Sequence, residues 1–354
     1  MLNVGLIGCG YISGKHLSSL SKMRGMQLTA VSDIDEKNMK KAVENYKNQS
    51  EQEVEISCYK NYGELLENPT IDVVVVTVIS GLHAAVASEA IRHGKHVMLE
   101  KPIALSLKEA DELILLAKTF KRKVLVCHQL RYRPLLQQLK EKVMEGAFGK
   151  PHLATISLRL YRSPSYFENS NWKGTWEQDG GMLINQGIHL VDQLLWMMGD
   201  LETAYGELGK ALHTKETEDV ATGIFHFSNR SKGLIEANTI TIPQNLGYQL
   251  TVFGDEGSFS VGGRNFNELT HCYMDKEEER KELYTLASDM NEHSYMYEDM
   301  LQAIVNDRQP AVSLLEGKKA LEAIFALYRA DRKSAVISLP LDDFTTKEMG
   351  GKIE

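Results

Sequence analysis

Short apolar runs alternate with amphipathic stretches through the first third of the chain. Val4–Ile7, Leu28–Val31, Val73–Val78, His96–Leu99 and Val124–Val126 read as strands buried on both faces. Between them, at about 11–23, 36–48, 83–93 and 107–120, apolar residues recur at helical spacing. Such alternation predicts a doubly wound parallel sheet with helices on its faces, an α/β architecture. Asn45–Ile56 is polar and reads as a surface excursion.

Beyond Arg131 the pattern changes. A helix at about 134–145 ends near Gly146 and Gly149. Period-two alternation then marks strands at His152–Tyr161, Gly206–Leu212, Ala221–Phe227, Gly233–Thr241 and Gln249–Phe253. A helical stretch, Gly180–Met198, is inserted among them, and its Leu190–Met198 portion is apolar enough to be a buried face. Two helices, at about 289–306 and 314–332, precede an apolar segment, Ala335–Leu341. The run Lys276-Glu-Glu-Glu-Arg-Lys281 reads as a solvated loop. This half predicts an α+β domain on an open, mostly antiparallel sheet. The expected division is residues 1–125 and residues 126–354.

Composition narrows the classes. With 43% hydrophobic and 25% charged residues among 354, the chain is an ordinary globular one. No apolar run approaches the roughly 18 residues of a membrane span. The chain opens on a strand, without a basic region and cleavable apolar stretch, so no secretory signal is expected. Cys9, Cys58, Cys127 and Cys272 lie far apart and suit a reducing cytoplasm. A net charge of −8 argues against nucleic acid or anionic membrane as a partner. A local basic pocket for an anionic small molecule remains compatible with it.

The first strand runs into Gly8-Cys9-Gly10-Tyr11-Ile12-Ser13-Gly14 and then a helical pattern. A strand feeding a glycine turn and a helix N-terminus is a pyrophosphate site, because backbone N–H groups and the helix dipole face the phosphates. Gly8, Gly10, Tyr11 and Ile12 are the expected cofactor contacts in this turn. An acid closing the second strand should bind the ribose hydroxyls, and Asp33 stands there. Ile34, not an arginine, follows it, which favours NAD over NADP. Ser13 holds the third glycine position, where a small residue packs helix on strand.

The stretches Ser80-Gly-Leu-His83, Gly94-Lys-His-Val97, Glu100-Lys101-Pro102 and Gly180-Gly-Met-Leu-Ile-Asn185-Gln-Gly-Ile-His189-Leu-Val-Asp192 resemble the Gfo/Idh/MocA oxidoreductases. The resemblance implies an N-terminal NAD-binding Rossmann domain and a C-terminal substrate and oligomerisation domain on an open sheet. It implies Ser80, His83, Glu100 and Lys101 on the cofactor side. Within the second half, Trp172–Gly181, Asn185–His189 and Ile242–Leu246 are similar to the subgroup that oxidises the 3-hydroxyl of UDP-N-acetylglucosaminuronate or UDP-N-acetylglucosamine. Val78-Ile79 stands where the family often has Thr-Pro, and His128–Arg131 differs in part from that subgroup. The family also implies a homo-oligomer, a dimer or tetramer, packed through the exposed sheet face.

The chemistry follows from residue types. Lys101 ends a predicted strand before a proline, where a side chain points into the cofactor crevice. There an ammonium holds a substrate hydroxyl and, partly desolvated, passes its proton. His189 lies on the predicted helix, with Asn185 four residues earlier and Asp192 three later on one face. Imidazole suits acceptance of a proton near neutral pH. Lys101 and His189 are thus the candidate catalytic pair, with the base unassigned between them. A hydroxyl-to-ketone oxidation needs no metal when nicotinamide takes the hydride, and none is expected. Arg159, Tyr161, Lys173, Trp176, Asn185 and His189 are the candidate substrate contacts, cations for phosphates and aromatics for a base. The alternatives are an inositol or free-sugar dehydrogenase, or an NAD-responsive regulatory protein without turnover.

Overall fold

The computed structural model describes residues 1–51, 54–211 and 215–350. Leu212, the last residue of one expected strand, and part of the expected excursion 45–56 lie outside the described residues. The strands are β1 (Leu2–Ile7), β2 (Met26–Ser32), β3 (Ser57–Tyr59), β4 (Val73–Val76), β5 (His96–Leu99), β6 (Val124–Val126) and β7 (Pro151–Arg159). They continue as β8 (Leu201–Gly209), β9 (Val220–Phe227), β10 (Lys232–Asn238), β11 (Gly247–Gly254), β12 (Ser258–Gly263), β13 (Glu268–Tyr273) and β14 (Ile337–Ser338). The helices are α1 (Ser13–Leu20), α2 (Glu36–Lys47), α3 (Tyr62–Glu67), α4 (His83–Arg92), α5 (Leu107–Thr119) and α6 (Pro134–Met144). After them come α7 (Pro164–Glu168), α8 (Ile188–Met198), α9 (Glu277–Leu286), α10 (Glu292–Val305) and α11 (Leu314–Lys333).

The chain forms two compact units. The first comprises Met1–Ala104, Lys108–Tyr132 and Asn291–Gly317. Its six strands run parallel in the order β3-β2-β1-β4-β5-β6. Val73–Val76 of β4 are fully buried, as a central strand covered on both faces requires. The order reverses between β1 and β4, which opens a crevice at the carboxyl ends of these strands. Helix α10 packs on α1 and belongs to this unit although it comes late in the chain. Amphipathic spacing makes α10 a helix but says nothing of which sheet it joins.

The second unit comprises Leu105–Leu107, Arg133–Met290 and the chain from Lys318 onward. Its sheet has the order β13-β12-β11-β7-β10-β9-β8-β14, with β7 and β10 parallel and the other pairs antiparallel. Helices α8 and α11 cover one face. Gly206 and Gly223 let Leu327 of α11 lie close on the strands, since a Cβ at either would stand 2.8 or 2.7 Å from its side chain. The opposite face carries Tyr205, Ile224, Leu234 and the Arg159–Glu236 ion pair.

Lys276–Lys281 is not a loop. From Glu277 it is the first turn of α9, where three successive glutamates favour the helix N-terminus and Lys281 pairs with Glu277 and Glu278. Strand β13, Glu-Leu-Thr-His-Cys-Tyr, escapes a reading by hydrophobic alternation because it has few apolar residues, and β12, Ser-Phe-Ser-Val-Gly-Gly, alternates over only four. The helix expected at Gly180–Met198 begins as a π-helical turn, Leu183–Gly187, and becomes α-helical only at Ile188.

Candidate active site

Strand β1 delivers the chain to Gly8, whose φ is +93°. A Cβ there would lie 2.7 Å from the Thr77 carbonyl oxygen, so the turn needs glycine. Gly10, by contrast, is exposed, with nothing within 4 Å of a Cβ position: the room a phosphate needs to approach the backbone. Tyr11 is 96% exposed, and Ile12 is the N-cap of α1, whose first turn closes through Lys15 N on the Ile12 carbonyl at 3.0 Å and Gly14 N on that of Tyr11 at 3.4 Å. Ser13 serves the third position by size and by a hydrogen bond, its Oγ donating to the Gly10 carbonyl at 2.5 Å.

Asp33 follows β2. Its Oδ2 accepts from Cys9 N at 2.7 Å and its Oδ1 from Asp35 N at 2.8 Å. Two backbone donors thus fix a half-exposed carboxylate whose remaining lone pairs suit a ribose diol. The glycine cradle and this carboxylate fit NAD. Thr77, from the end of β4, closes the turn from below by donating to the Gly8 carbonyl at 2.5 Å.

Beyond the carboxyl end of β4, Ser80 opens a short 3-10 turn before α4. His83 is 2% exposed, with Nδ1 2.6 Å from the Pro102 carbonyl and Nε2 3.0 Å from that of Val78. Burial lowers its pKa, against the two carbonyls, which favour the protonated ring. His83 therefore braces the Lys101–Pro102 corner from inside the protein. Glu100 is also buried. Its Oε1 lies 3.0 Å from His16 Nε2, and His16 Nδ1 lies 3.1 Å from the Tyr297 hydroxyl. Burial pushes the Glu100 carboxyl up, but the His16 hydrogen bond and charge, with Lys101, outweigh it and hold the pKa at about 2. Lys101 stands half-exposed after β5, its N–H donating to Glu100 Oε2 at 3.2 Å. Cys127 Sγ completes a buried trio with His16 and Glu100, all three ligand atoms within 4.8 Å of one another. Burial holds that thiol well above its ordinary pKa, so it is a poor source of the thiolate a metal takes.

In the second unit, Asn185, Gln186 and His189 are the half-exposed residues of an otherwise buried stretch from Gly180 to Leu195. Asp192 shares the spacing but is 1% exposed and lies inside the unit, so the expected common face runs from accessible to buried. The Asn185 amide donates to Asp179, whose other oxygen accepts from Gly174 N at 2.7 Å. Beside them Tyr166 carries Lys173 Nζ over its ring at 4.0 Å and the Arg162 guanidinium at 5.3 Å. Burial and then the Asp179 charge raise the Tyr166 phenol, with Arg162 pulling it down, and Gln186 hydrogen-bonds it. The Tyr161 N–H donates to Asn245 Oδ1 at 2.7 Å, which ties the strand end to the Pro243–Leu246 loop.

Two expected substrate residues stand elsewhere. Arg159 projects from the sheet face opposite the helices, where it forks onto both Glu236 oxygens with a shortest contact of 2.6 Å. An odd-numbered residue on β7 faces away from α8, so its partner is a cross-strand acid. Trp176 is 3% exposed and packs edge-on against Tyr328 at 5.3 Å, a core contact rather than an open stacking platform. Reading the sequence also passed over Tyr166, Asp179, Gln186 and His16. A lone tyrosine or histidine carries no spacing signal, and only the fold brings His16 to Glu100.

Residues 2–128 match the oxidoreductase family with an NAD-binding Rossmann fold, and residues 136–260 match the Gfo/Idh/MocA C-terminal domain. The chain belongs to the Gfo/Idh/MocA oxidoreductases. It is an NAD-dependent dehydrogenase of sugars or polyols, acting on CH–OH groups. The WlbA dehydrogenase from Chromobacterium violaceum, solved with NADH and UDP-GlcNAcA, is 30% identical with a TM-score of 0.89 over 96% of each chain. The Bordetella pertussis WlbA dehydrogenase, also solved with NADH and UDP-GlcNAcA, is 26% identical with a TM-score of 0.87, over 96% of this chain and 98% of that one. Myo-inositol 2-dehydrogenase of Thermotoga maritima is 26% identical over 334 residues, 90% of this chain and 93% of that protein. Among the described residues, no helix is long and apolar enough to cross a membrane.

Proposed function

We propose that this chain oxidises a ring hydroxyl, at C3, of a UDP-N-acetyl-hexosamine or its uronate, in the cytoplasm. The observation that carries this is the pair of cations, Arg162 and Lys173, gathered on Tyr166 beside the half-exposed Asn185 and Gln186. Arg162 Nη1 donates to the Tyr161 carbonyl at 2.8 Å, which holds the guanidinium in place beside Tyr166. A neutral polyol has no use for two cations, whereas a diphosphate does. The two WlbA structures that hold UDP-GlcNAcA support the same substrate class. The inositol reading is favoured by the inositol dehydrogenases among the relatives, that of Thermotoga maritima included.

In this reading NAD, when bound, supplies the hydride acceptor. Gly8, Gly10, Tyr11, Ile12 and Asp33 hold it, and Ser80, His83 and Glu100 shape the corner that presents Lys101. Lys101 and His189 orient the substrate hydroxyl and take its proton. Asn185, Lys173 and Tyr161 hold the sugar nucleotide with Arg162 and Tyr166. The open face of the β7–β14 sheet, with Ile224 42% and Leu234 40% exposed, is the surface on which copies of the chain pair.

Calorimetry with NADH present tests the substrate class. UDP-GlcNAcA should bind more tightly than N-acetylglucosamine or myo-inositol. Arg162→Met and Lys173→Met should each weaken it by about tenfold, the loss of one charge-assisted contact. Tighter binding of myo-inositol than of any UDP-sugar contradicts the proposal.

A further inference from the structure

The short segment Lys215–Asp219 touches the substrate-side loop at successive points. Lys215 Nζ pairs with Asp219 Oδ1 at 2.9 Å, with the two side chains 1% and 0% exposed, and stands 4.6 Å over the Phe167 ring. The N–H groups of Glu216 and Thr217 both donate to the Gly174 carbonyl, at 2.9 and 3.2 Å. Glu216 Oε2 accepts from Trp176 N at 3.1 Å. Glu218 Oε1 accepts from Leu183 N at 2.9 Å and from the Tyr328 hydroxyl at 2.8 Å. Leu183 opens the π-helical turn, where a backbone N–H has no helical acceptor and a buried one needs another.

The glycines opposite are spaced to admit this segment. A Cβ on Gly174 would lie 2.7 Å from Lys215 Cβ, and one on Gly181 would lie 2.5 Å from Glu218 Oε2. Both have positive φ, +73° and +104°. The pinned residues alternate with the site residues. Gly174 follows Lys173, and Leu183 precedes Asn185 by two.

We infer that Lys215–Asp219 is a positioning clamp for the substrate-binding loop, with Glu218 setting the π-helical turn that carries Asn185, an inference that rests on the substrate reading of Lys173 and Asn185. None of the five residues is assigned contact with substrate or cofactor. Each acts through the backbone of the loop it holds, and the clamp serves any substrate that Lys173 and Asn185 grip.

The test compares Glu218→Ala, Glu218→Gln and Glu216→Ala in the full-length protein. Hydrogen exchange of the 172–187 peptide should rise in Glu218→Ala and stay near wild type in Glu218→Gln, which keeps an acceptor oxygen for Leu183 N. Exchange at β1–α1 should not change. KM for the substrate the wild type turns over should rise about tenfold in Glu218→Ala, with NAD affinity unaltered and recovery in Glu218→Gln. Glu216 is exposed, so Glu216→Ala keeps the fold and gives the same direction at Trp176 should Glu218→Ala not fold. Unchanged exchange in 172–187, or a fall in thermal stability with KM within about twofold of wild type in the folded variants, overturns the clamp. If UDP-sugars are not substrates, that appears in the wild type; failure of the clamp appears in the variant-to-wild-type ratio.

Discussion

His16 Nε2 stands 3.0 Å from Glu100 Oε1, with side chains 1% and 8% exposed, one residue before Lys101. The two come from α1 and the end of β5, so this contact fastens the phosphate-turn helix to the strand that presents Lys101. Removing one partner of a buried pair leaves the other uncompensated. His16→Ala should cost about 3–5 kcal/mol of stability at pH 7. The Glu100 pKa is depressed to about 2 from 4.5. The stability it contributes is present above 4.5 and lost as pH falls through about 2. Urea unfolding of wild type and His16→Ala at pH 7 and at pH 3.5 checks this, and equal stabilities at pH 7 count against the pair.

Lys101→Met should keep the fold and NAD binding and lose turnover by about 10²–10⁴-fold, the usual contribution of a general acid–base group. His189→Ala should be similarly severe. If the two act as one unit, the double variant loses less than the product of the single losses. Stopped-flow reduction of bound NAD reads both, and near-normal turnover in a folded Lys101→Met removes Lys101 from the mechanism.

Asp33, held by Cys9 N and Asp35 N, should select NAD by accepting from ribose hydroxyls and repelling a 2′-phosphate. Asp33→Ala should weaken NADH by about tenfold and narrow the preference over NADPH. Titration of both nucleotides into wild type and variant decides it, and equal affinities in the wild type contradict the assignment.

Glu218 gives the opposite sign to Glu100. Burial pushes its carboxyl up to about 7 from 4.5, with the Leu183 N–H, the Lys215 charge and the Tyr328 hydroxyl pulling the other way. The folded state therefore binds the proton more tightly than the unfolded chain. The stabilisation is full below 4.5 and is lost as pH rises through about 7. Wild type should lose stability relative to Glu218→Gln between these limits, on the order of 3 kcal/mol. Parallel denaturant titrations from pH 4.5 to 8 measure the difference, and a flat difference shows that Glu218 stays ionised throughout.

The phosphate turn was legible because its signal is local: an apolar strand, two glycines and an acid at fixed distance, all within thirty-three residues. The alternation of the first half and the inserted helix of the second were legible for the same reason. Arg159 and Trp176 suit a nucleotide by type, but strand parity puts Arg159 on Glu236 and core packing puts Trp176 against Tyr328, which residue type alone does not announce. The π-helical turn at Leu183–Gly187 has no signature in spacing and depends on Glu218, a carboxylate from another segment. His16 and Tyr297 are 281 residues apart, and no local pattern announces their contact. Lys215-Glu-Thr-Glu-Asp219 is charged in sequence yet buried at every residue but Glu216. Its burial follows from the neighbouring loop whose backbone it satisfies.

Single-turnover reduction of enzyme-bound NAD tests the central claim most directly, because it registers the chemical step even if the cofactor stays bound. Protein loaded with NAD is mixed with UDP-GlcNAcA, UDP-N-acetylglucosamine, N-acetylglucosamine or myo-inositol, and nicotinamide absorbance is followed. A UDP-sugar should give full-amplitude reduction, abolished in Lys101→Met, while the free sugar and myo-inositol react slowly or not at all. Rapid reduction by myo-inositol or a free hexose with none by any UDP-sugar would contradict the account of the substrate and leave the NAD site and Lys101 standing.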